Sequence, residues 1–305
     1  MVTIYPEFDQ VVRDIKSLHI QGAQRIAKEG FAAFKHVALQ GAHDLAHLSD
    51  YARLLKKAKD ALIQARSTEP LLRNVLRIVF NDKEILKYHT IIELHEHIQK
   101  KAKIVEQHFE QVHKMIPRIG AHKIKDGFTV YTHCHSSNVV NAILEANAKG
   151  KTLRVCNTET RPKFQGRITA KELALHQIPV EHFVDSAMRL AIKKCDIVLI
   201  GCDAIDTTGR VYNKIGSELV CETAHKYQKP VYIVTDSWKF DPEHENEPIE
   251  MREASEVWED APEGVTISNY AFERINPELI TGIISEFGIH TIPEFLKEVR
   301  ERYDF

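Results

Sequence analysis

The sequence predicts an α/β protein: an N-terminal helical domain followed by a Rossmann-like parallel-sheet domain. Three observations carry this. Apolar residues recur at helical spacing through roughly the first 115 residues, where only Pro70 lies between Pro6 and Pro117. Short apolar runs of strand length then alternate with helical stretches. Finally, the runs end in polar or ionisable residues, as strands do where a parallel sheet presents its carboxyl edge to a ligand.

In the first part, Val11, Val12, Ile15, Leu18 and Ile26 fall on one helical stripe, as do Leu72, Val75, Leu76 and Val79. A longer helical pattern runs from about Ile85 to Met115. The breakers Pro117-Arg118-Ile119-Gly120 and Asp126-Gly127 end it and place the domain boundary, giving domains 1–118 and 119–305. His43 and His47, or His95 and His97, have metal-ligand spacing but no HExxH-type carboxylate, so they read as solvated helix surface.

Beyond the boundary, strands are expected at Phe128–Thr132, Thr152–Cys156, Val180–Val184, Asp196–Ile200 and Val231–Thr235. The connecting helices are Ser136–Ala148, Thr169–His176, Ser186–Lys194 and Ile215–Tyr227. Such βα alternation implies a parallel sheet. The acidic, proline-containing stretch Lys239–Glu250 reads as an exposed excursion.

Bulk composition excludes several classes. Of 305 residues, 43% are hydrophobic and 28% charged, as in an ordinary globular protein. No apolar run approaches the roughly 20 residues that cross a bilayer. With no basic-apolar leader at Met1–Glu7, a cytoplasmic location and no membrane partner are expected. A net charge of −2 gives no general attraction to nucleic acid. The five cysteines show no CxxC spacing and read as free thiols.

Cys134 stands where the first strand gives way to a helix, whose amino terminus favours thiolates and anions. By position alone it reads equally as a functional group or a buried thiol. The flanking His133 and His135 point away from it in an extended strand, which argues against a metal cluster. Asp203 closes another strand; it either caps a turn or pairs with Cys134 for acid/base work. The loop Thr160–Arg167 carries three cations and could grip phosphate through Arg161 and backbone amides, or simply be solvated. Asn213 and Lys214 open a further helix. No GxGxxG, GxxxxGK[ST] or GxSxG is present, which disfavours dinucleotide, P-loop and serine-hydrolase readings.

Four segments together resemble a known superfamily. They are Thr132-His133-Cys134-His135-Ser136; Glu159-Thr160-Arg161-Pro162 with Gln165-Gly166-Arg167; Gly201-Cys202-Asp203-Ala204-Ile205; and Asn213-Lys214-Ile215-Gly216. The superfamily joins sugar-phosphate isomerases to the regulatory subunits of translation initiation factor 2B. The likeness extends to Ile20-Gln21-Gly22-Ala23, Ala65–Pro70 and Asn276–Ile280.

The resemblance implies an enzyme, because Cys134, Asp203 and the Glu-Thr-Arg-Pro loop are kept together. It implies catalysis by Cys134 and Asp203 without metal or cofactor. Substrate binding falls to Arg161, Gln165, Asn213 and Lys214, with Gly22, Ala23, Arg25 and Arg66 of the helical domain closing over a phosphate. Arg25, Arg66, Arg161 and Arg167 suffice for two phosphates, so the expected reaction converts ribose 1,5-bisphosphate to ribulose 1,5-bisphosphate in nucleotide salvage or degradation. Gln21 stands where the isomerases carry arginine, and Arg25, one turn on, is expected to substitute. The alternatives are methylthioribose-1-phosphate isomerase, or an initiation-factor-like regulator that binds a nucleotide or sugar phosphate without turnover and contacts a translation factor. A homo-oligomer, dimer or hexamer, is implied in each case.

Overall fold

The computed structural model describes residues 4–243 and 249–303, which form two compact units divided between Glu110 and Gln111. The first is entirely helical among the described residues: α1 (Pro6–Lys16), α2 (Ala23–Asp44), α3 (Leu48–Ala65), α4 (Pro70–Val79) and the start of α5 (Ile91–Lys123). Prolines at the first turns of α1 and α4 suit positions that need no N–H donor. α2 packs against α1, α3 and α4. Its buried stripe of Ile26, Ala27, Phe31, Phe34, Val37 and Ala38 meets Leu55, Leu62, Leu72 and Leu76 in this unit's core. The stripe expected from Val11 to Ile26 is broken after Lys16, where Leu18 takes a positive φ and Gly22 starts α2.

The long helix differs from expectation at both ends. Asp82–Lys87 forms a 3-10 turn, and α5 begins at Ile91 and continues to Lys123 with Pro117 inside it. Proline inside a helix costs about 3 kcal/mol or more. Here the final turns gain burial of Val112, Ile116 and Ala121 in the α/β core. Lys151 also donates to the carbonyls of Ala121 and Ile124 at 2.7 and 2.6 Å, satisfying groups that a helix end leaves open.

The second unit is built on a seven-stranded sheet. Its strands are β1 (Thr129–Thr132), β2 (Arg154–Thr158), β3 (Val180–Phe183), β4 (Ile197–Ile200), β7 (Val231–Val234), β10 (Gly282–Ser285) and β11 (Gly288–His290). The order is β11-β10-β7-β4-β1-β2-β3, all parallel except the β10–β11 pair. Helices α6 (Ser137–Ala148), α7 (Gln165–Leu175), α8 (Met188–Lys194), α9 (Ser217–Lys226) and α10 (Ile292–Arg302) alternate with the strands. Val130, Val155, Ile197 and Leu199 face one way into a core with Val139, Val140, Ile143 and Leu173. The intervening Tyr131, Cys156 and Val198 fall on the opposite face, where α8 packs on β1 and β2. β3, at the edge, keeps Glu181 and His182 exposed, a common defence against edge pairing.

Counting only the six parallel strands, their spatial order is 3-2-1-4-5-6, so the winding reverses between β1 and β4. A smaller sheet has strands β5 (Ala204–Asp206), β6 (Val211–Lys214), β8 (Phe240–Asp241) and β9 (Phe272–Ile275), ordered β8-β5-β6-β9. It alters two expectations. Lys214 lies at the end of a strand rather than in a helix. Lys239, Phe240 and Asp241 are buried rather than part of an exposed excursion, whose residues 244–248 lie outside the described ones. No helix among the described residues is long and apolar enough to cross a membrane.

Candidate active site at the strand-order reversal

Cys134 follows β1 and Asp203 follows β4, so both leave the carboxyl edge where these adjacent strands diverge. Between β1 and α6 the backbone turns sharply. Cys134 sits in the left-handed region with φ 62°, a conformation that costs a non-glycine residue about 1 kcal/mol or more. The turn is held at both peptide groups. The Cys134 N–H donates to Thr160 Oγ1 at 3.0 Å, and its carbonyl accepts from Thr169 Oγ1 at 2.9 Å. Gly201, directly after β4, allows Ser136 to come close: a Cβ there would lie 2.6 Å from that of Ser136.

The histidines beside Cys134 are structural donors and acceptors. His133 Nε2 lies 2.9 Å from the carbonyl of Ile215, so this nitrogen carries the proton. Burial lowers the His133 pKa, leaving Nδ1 bare to accept from Thr158 Oγ1 at 2.8 Å. Thr158 in turn accepts from the Tyr131 hydroxyl at 3.2 Å. His135 Nδ1 donates to Thr169 Oγ1 at 3.0 Å, because that hydroxyl spends its own proton on Cys134.

Burial pushes the Cys134 thiol up to about 11; the Lys214 ammonium opposes this, and the charges of Asp203 and Asp185 add to it. The His135 N–H also bonds toward the sulfur, in the lowering direction. The favoured state at neutral pH is therefore the thiol, not the thiolate expected beside a helix amino terminus. Desolvation of the sulfur outweighs the dipole of α6. Asp203 is half-buried, its N–H donates to the Tyr212 carbonyl at 2.8 Å, and its carboxylate has no hydrogen-bond partner among the described residues.

Lys214 is 8% exposed. Its ammonium lies over the Phe272 ring at 4.4 Å and makes no ion pair among the described residues. A buried cation without a carboxylate partner is costly unless an anion completes it. The adjoining start of α9 is not an open anion site. Glu273, whose pKa is raised by burial, lies within hydrogen-bonding reach of the N–H groups of Gly216, Ser217 and Glu218. The Asn213 amide donates to Ser217 Oγ at 2.8 Å.

The loop after β2 is likewise more occupied than expected. Both carboxylate oxygens of Asp185 accept from it: Thr160 N at 2.8 Å and Arg161 N at 2.7 Å, so these amides are not free for phosphate. The Arg161 guanidinium is exposed, donates to the Val257 carbonyl at 2.9 Å and lies 5.1 Å from the Phe164 ring centre. Arg167 pairs with Glu159 at 2.9 Å. Gln165 begins α7, and its Oε1 is buried without a partner among the described residues. At Gly166 any Cβ would strike the Thr158 carbonyl at 1.8 Å, so the loop closes this tightly only with glycine.

Gly22, Ala23, Arg25 and Arg66 belong to the helical unit. Gly22 precedes α2 with φ 84°; Ala23 is buried and Arg25 exposed on its first turn. Arg66 ends α3, 11% exposed in its side chain and 3.9 Å from Glu69. Gln21 spends its amide on the Leu18 carbonyl at 2.7 Å. His95, weighed as a ligand, has Tyr51 on one ring nitrogen and Gln99 on the other.

Two residues that organise this edge were not singled out from sequence. Asp185 did carry a signal, since it ends the β3 run, but nothing local links it to Thr160. Lys239, which donates to the Cys202 carbonyl, sat in a stretch that looked solvated.

The chain was compared with known proteins. It is 36% identical over 304 residues to "Ribose 1,5-bisphosphate isomerase" of Pyrococcus furiosus, covering 94% of this chain and 91% of that one. It is 30% identical over 317 residues to "Methylthioribose-1-phosphate isomerase" of Thermosipho africanus, covering 97% and 90%. Among solved structures, the Pyrococcus horikoshii protein titled translation initiation factor eIF-2B superposes with a TM-score of 0.82 at 25% identity, over 96% of this chain and 99% of that one. Residues 19–292 match the Initiation factor 2 subunit family, and the chain belongs to it.

Proposed function

We propose that this chain is an aldose–ketose isomerase that converts ribose 1,5-bisphosphate to ribulose 1,5-bisphosphate in nucleotide salvage or degradation. The observation that carries this is the meeting of Cys134 and Asp203 at the β1–β4 divergence, beside the unpaired Lys214, in a chain 36% identical to a named ribose 1,5-bisphosphate isomerase.

Phosphate on the C1 oxygen prevents spontaneous opening of the sugar ring, so the enzyme must cleave the bond between C1 and the ring oxygen. A thiol held protonated is suited to act as the acid. Cys134 gives its proton to the departing ring oxygen, and Asp203 takes the proton from the C2 hydroxyl. The hydrogen on C2 moves to C1, which becomes the CH₂ bearing phosphate as C2 becomes the ketone. One proton is donated and one removed, so substrate and product are isomers.

In this scheme Lys214 and Arg161 neutralise phosphate charge, while Gln165 and Asn213 hold hydroxyls. Gly22, Ala23, Arg25 and Arg66 are proposed phosphate ligands on the helical unit. Neither metal nor cofactor is required, and a cytoplasmic homo-oligomer is the proposed setting.

The test is incubation of the purified protein with ribose 1,5-bisphosphate, following ribulose 1,5-bisphosphate by NMR. Methylthioribose 1-phosphate serves as the competing substrate. Turnover of the bisphosphate alone supports the proposal; preference for the methylthio sugar moves the chain to the second isomerase class. Tight binding of either without turnover indicates a regulatory protein of the initiation-factor type.

A further inference from the structure

We infer that Asp185 is a positioning residue for Cys134, acting through Thr160. Its carboxylate does not cap its own 3-10 turn, Asp185–Ala187, which Val184 precedes without a side-chain cap. Instead it reaches the consecutive amides of Thr160 and Arg161 at 2.8 and 2.7 Å, across more than twenty residues of sequence. Two charge-assisted bonds to one carboxylate fix both the place and the orientation of a short turn.

That turn needs fixing. Thr160 has φ 60° and Phe164 φ 58°, two non-glycine residues in the left-handed region within five positions, a conformation held only by its surroundings. The hydroxyl of Thr160 then accepts the N–H of Cys134, itself at φ 62°. A connected path therefore runs from the Asp185 carboxylate through the Thr160 backbone and side chain to the peptide that aims the thiol. Arg161, the exposed cation of the same loop, is set by the second oxygen. One carboxylate thus orders the acid and a proposed phosphate ligand together.

Asp185→Asn keeps the shape but offers one acceptor oxygen, and it turns an amide donor toward the other N–H. This inference rests on the isomerase proposal only for its kinetic arm, so the experiment has two readouts. The first is kcat on ribose 1,5-bisphosphate. The second is the pH profile of iodoacetamide alkylation at Cys134, followed by peptide mass spectrometry, which requires no turnover.

For Asp185→Asn, kcat is expected to fall about tenfold or more, corresponding to about 1.4 kcal/mol or more. The alkylation midpoint should shift to lower pH, because a negative charge near the sulfur is gone. Thr160→Val should lower kcat without that downward shift, since Asp185 stays charged. The double variant should lose no more than the worse single one, the non-additivity of residues acting in series.

Wild-type kcat and an unchanged alkylation profile in Asp185→Asn would overturn the inference, as would losses that multiply in the double variant. If Asp185→Asn does not fold, wild-type kcat in Thr160→Val overturns it. If the unmodified protein does not turn over the bisphosphate, the isomerase proposal fails while the alkylation arm still decides the role of Asp185.

Discussion

The backbone N–H of Cys134 donates to the side-chain hydroxyl of Thr160 at 3.0 Å, joining the turn after β1 to the loop after β2. Thr160 is fully buried, so a valine there leaves that N–H without its acceptor. An unpaired buried donor costs about 1–3 kcal/mol. Thr160→Val is accordingly expected to lower the melting temperature measurably. Calorimetry checks this, and an unchanged melting temperature would show that water replaces the hydroxyl.

The thiol of Cys134, pushed up to about 11 by burial, sets a pH dependence. Alkylation should be slow at neutral pH and climb through the alkaline range as thiolate forms. Lys214→Met removes the cation that favours thiolate and should move the midpoint higher still. Because the folded value lies above that of an unfolded cysteine, about 8.5, the stability linked to this group is complete below that pH. It is lost as pH rises toward about 11. An alkylation midpoint near that of free cysteine would contradict the burial argument.

His133 and His135 act at the other end of the scale. Burial lowers both pKa values, and the hydrogen bond that His133 Nδ1 accepts from Thr158 requires a neutral ring. The unfolded chain, with histidine near 6.5, binds protons that the folded chain refuses, so stability should fall as pH drops below about 6.5. Denaturant titrations at pH 7.5 and 5.5 test this. His133→Gln, whose side chain carries no charge, should flatten part of the slope.

Gly201→Ala tests the approach of the strand ends. The added Cβ would meet Ser136 at 2.6 Å, too close for either to keep its place. A loss of about 1–3 kcal/mol is expected from overpacking. Turnover should fall more than stability predicts, because Ser136 stands at the N-cap position of the helix that follows Cys134, two residues from the thiol. Kinetics at a temperature where the variant is fully folded separate the two effects.

If Cys134 supplies a proton and Asp203 accepts one from the C2 hydroxyl, no group remains to take the hydrogen on C2 to solvent. Product made in D₂O should therefore carry no deuterium at C1 by mass spectrometry. Deuterium there would mean that a protein base exchanges that hydrogen with water, and would reassign the base.

Much of this was legible in the chain. Ile197–Ile200, wholly buried, and Val231–Val234 read as strands because parallel strands covered on both faces are continuous apolar runs. Cys134 and Asp203 stood out as ionisable groups directly after such runs. The small sheet did not, since β5 and β8 have three and two residues, too few for a period. Pro117 was misleading: a local rule stops helices at proline, whereas burial of Ile116 and Ala121 carries α5 past it. Glu273 and Asp185 were missed for a common reason. Each satisfies backbone groups distant in sequence, Glu218 and Thr160, and no local pattern records such pairs.

The most direct test of the central claim compares Cys134→Ser and Asp203→Asn with the unmodified protein in ribulose 1,5-bisphosphate formation. Both groups are placed in acid–base roles, so each variant should fold normally and lose at least about 10²-fold in kcat. Wild-type turnover in either variant would contradict the assignment of that residue, and in both, the site itself.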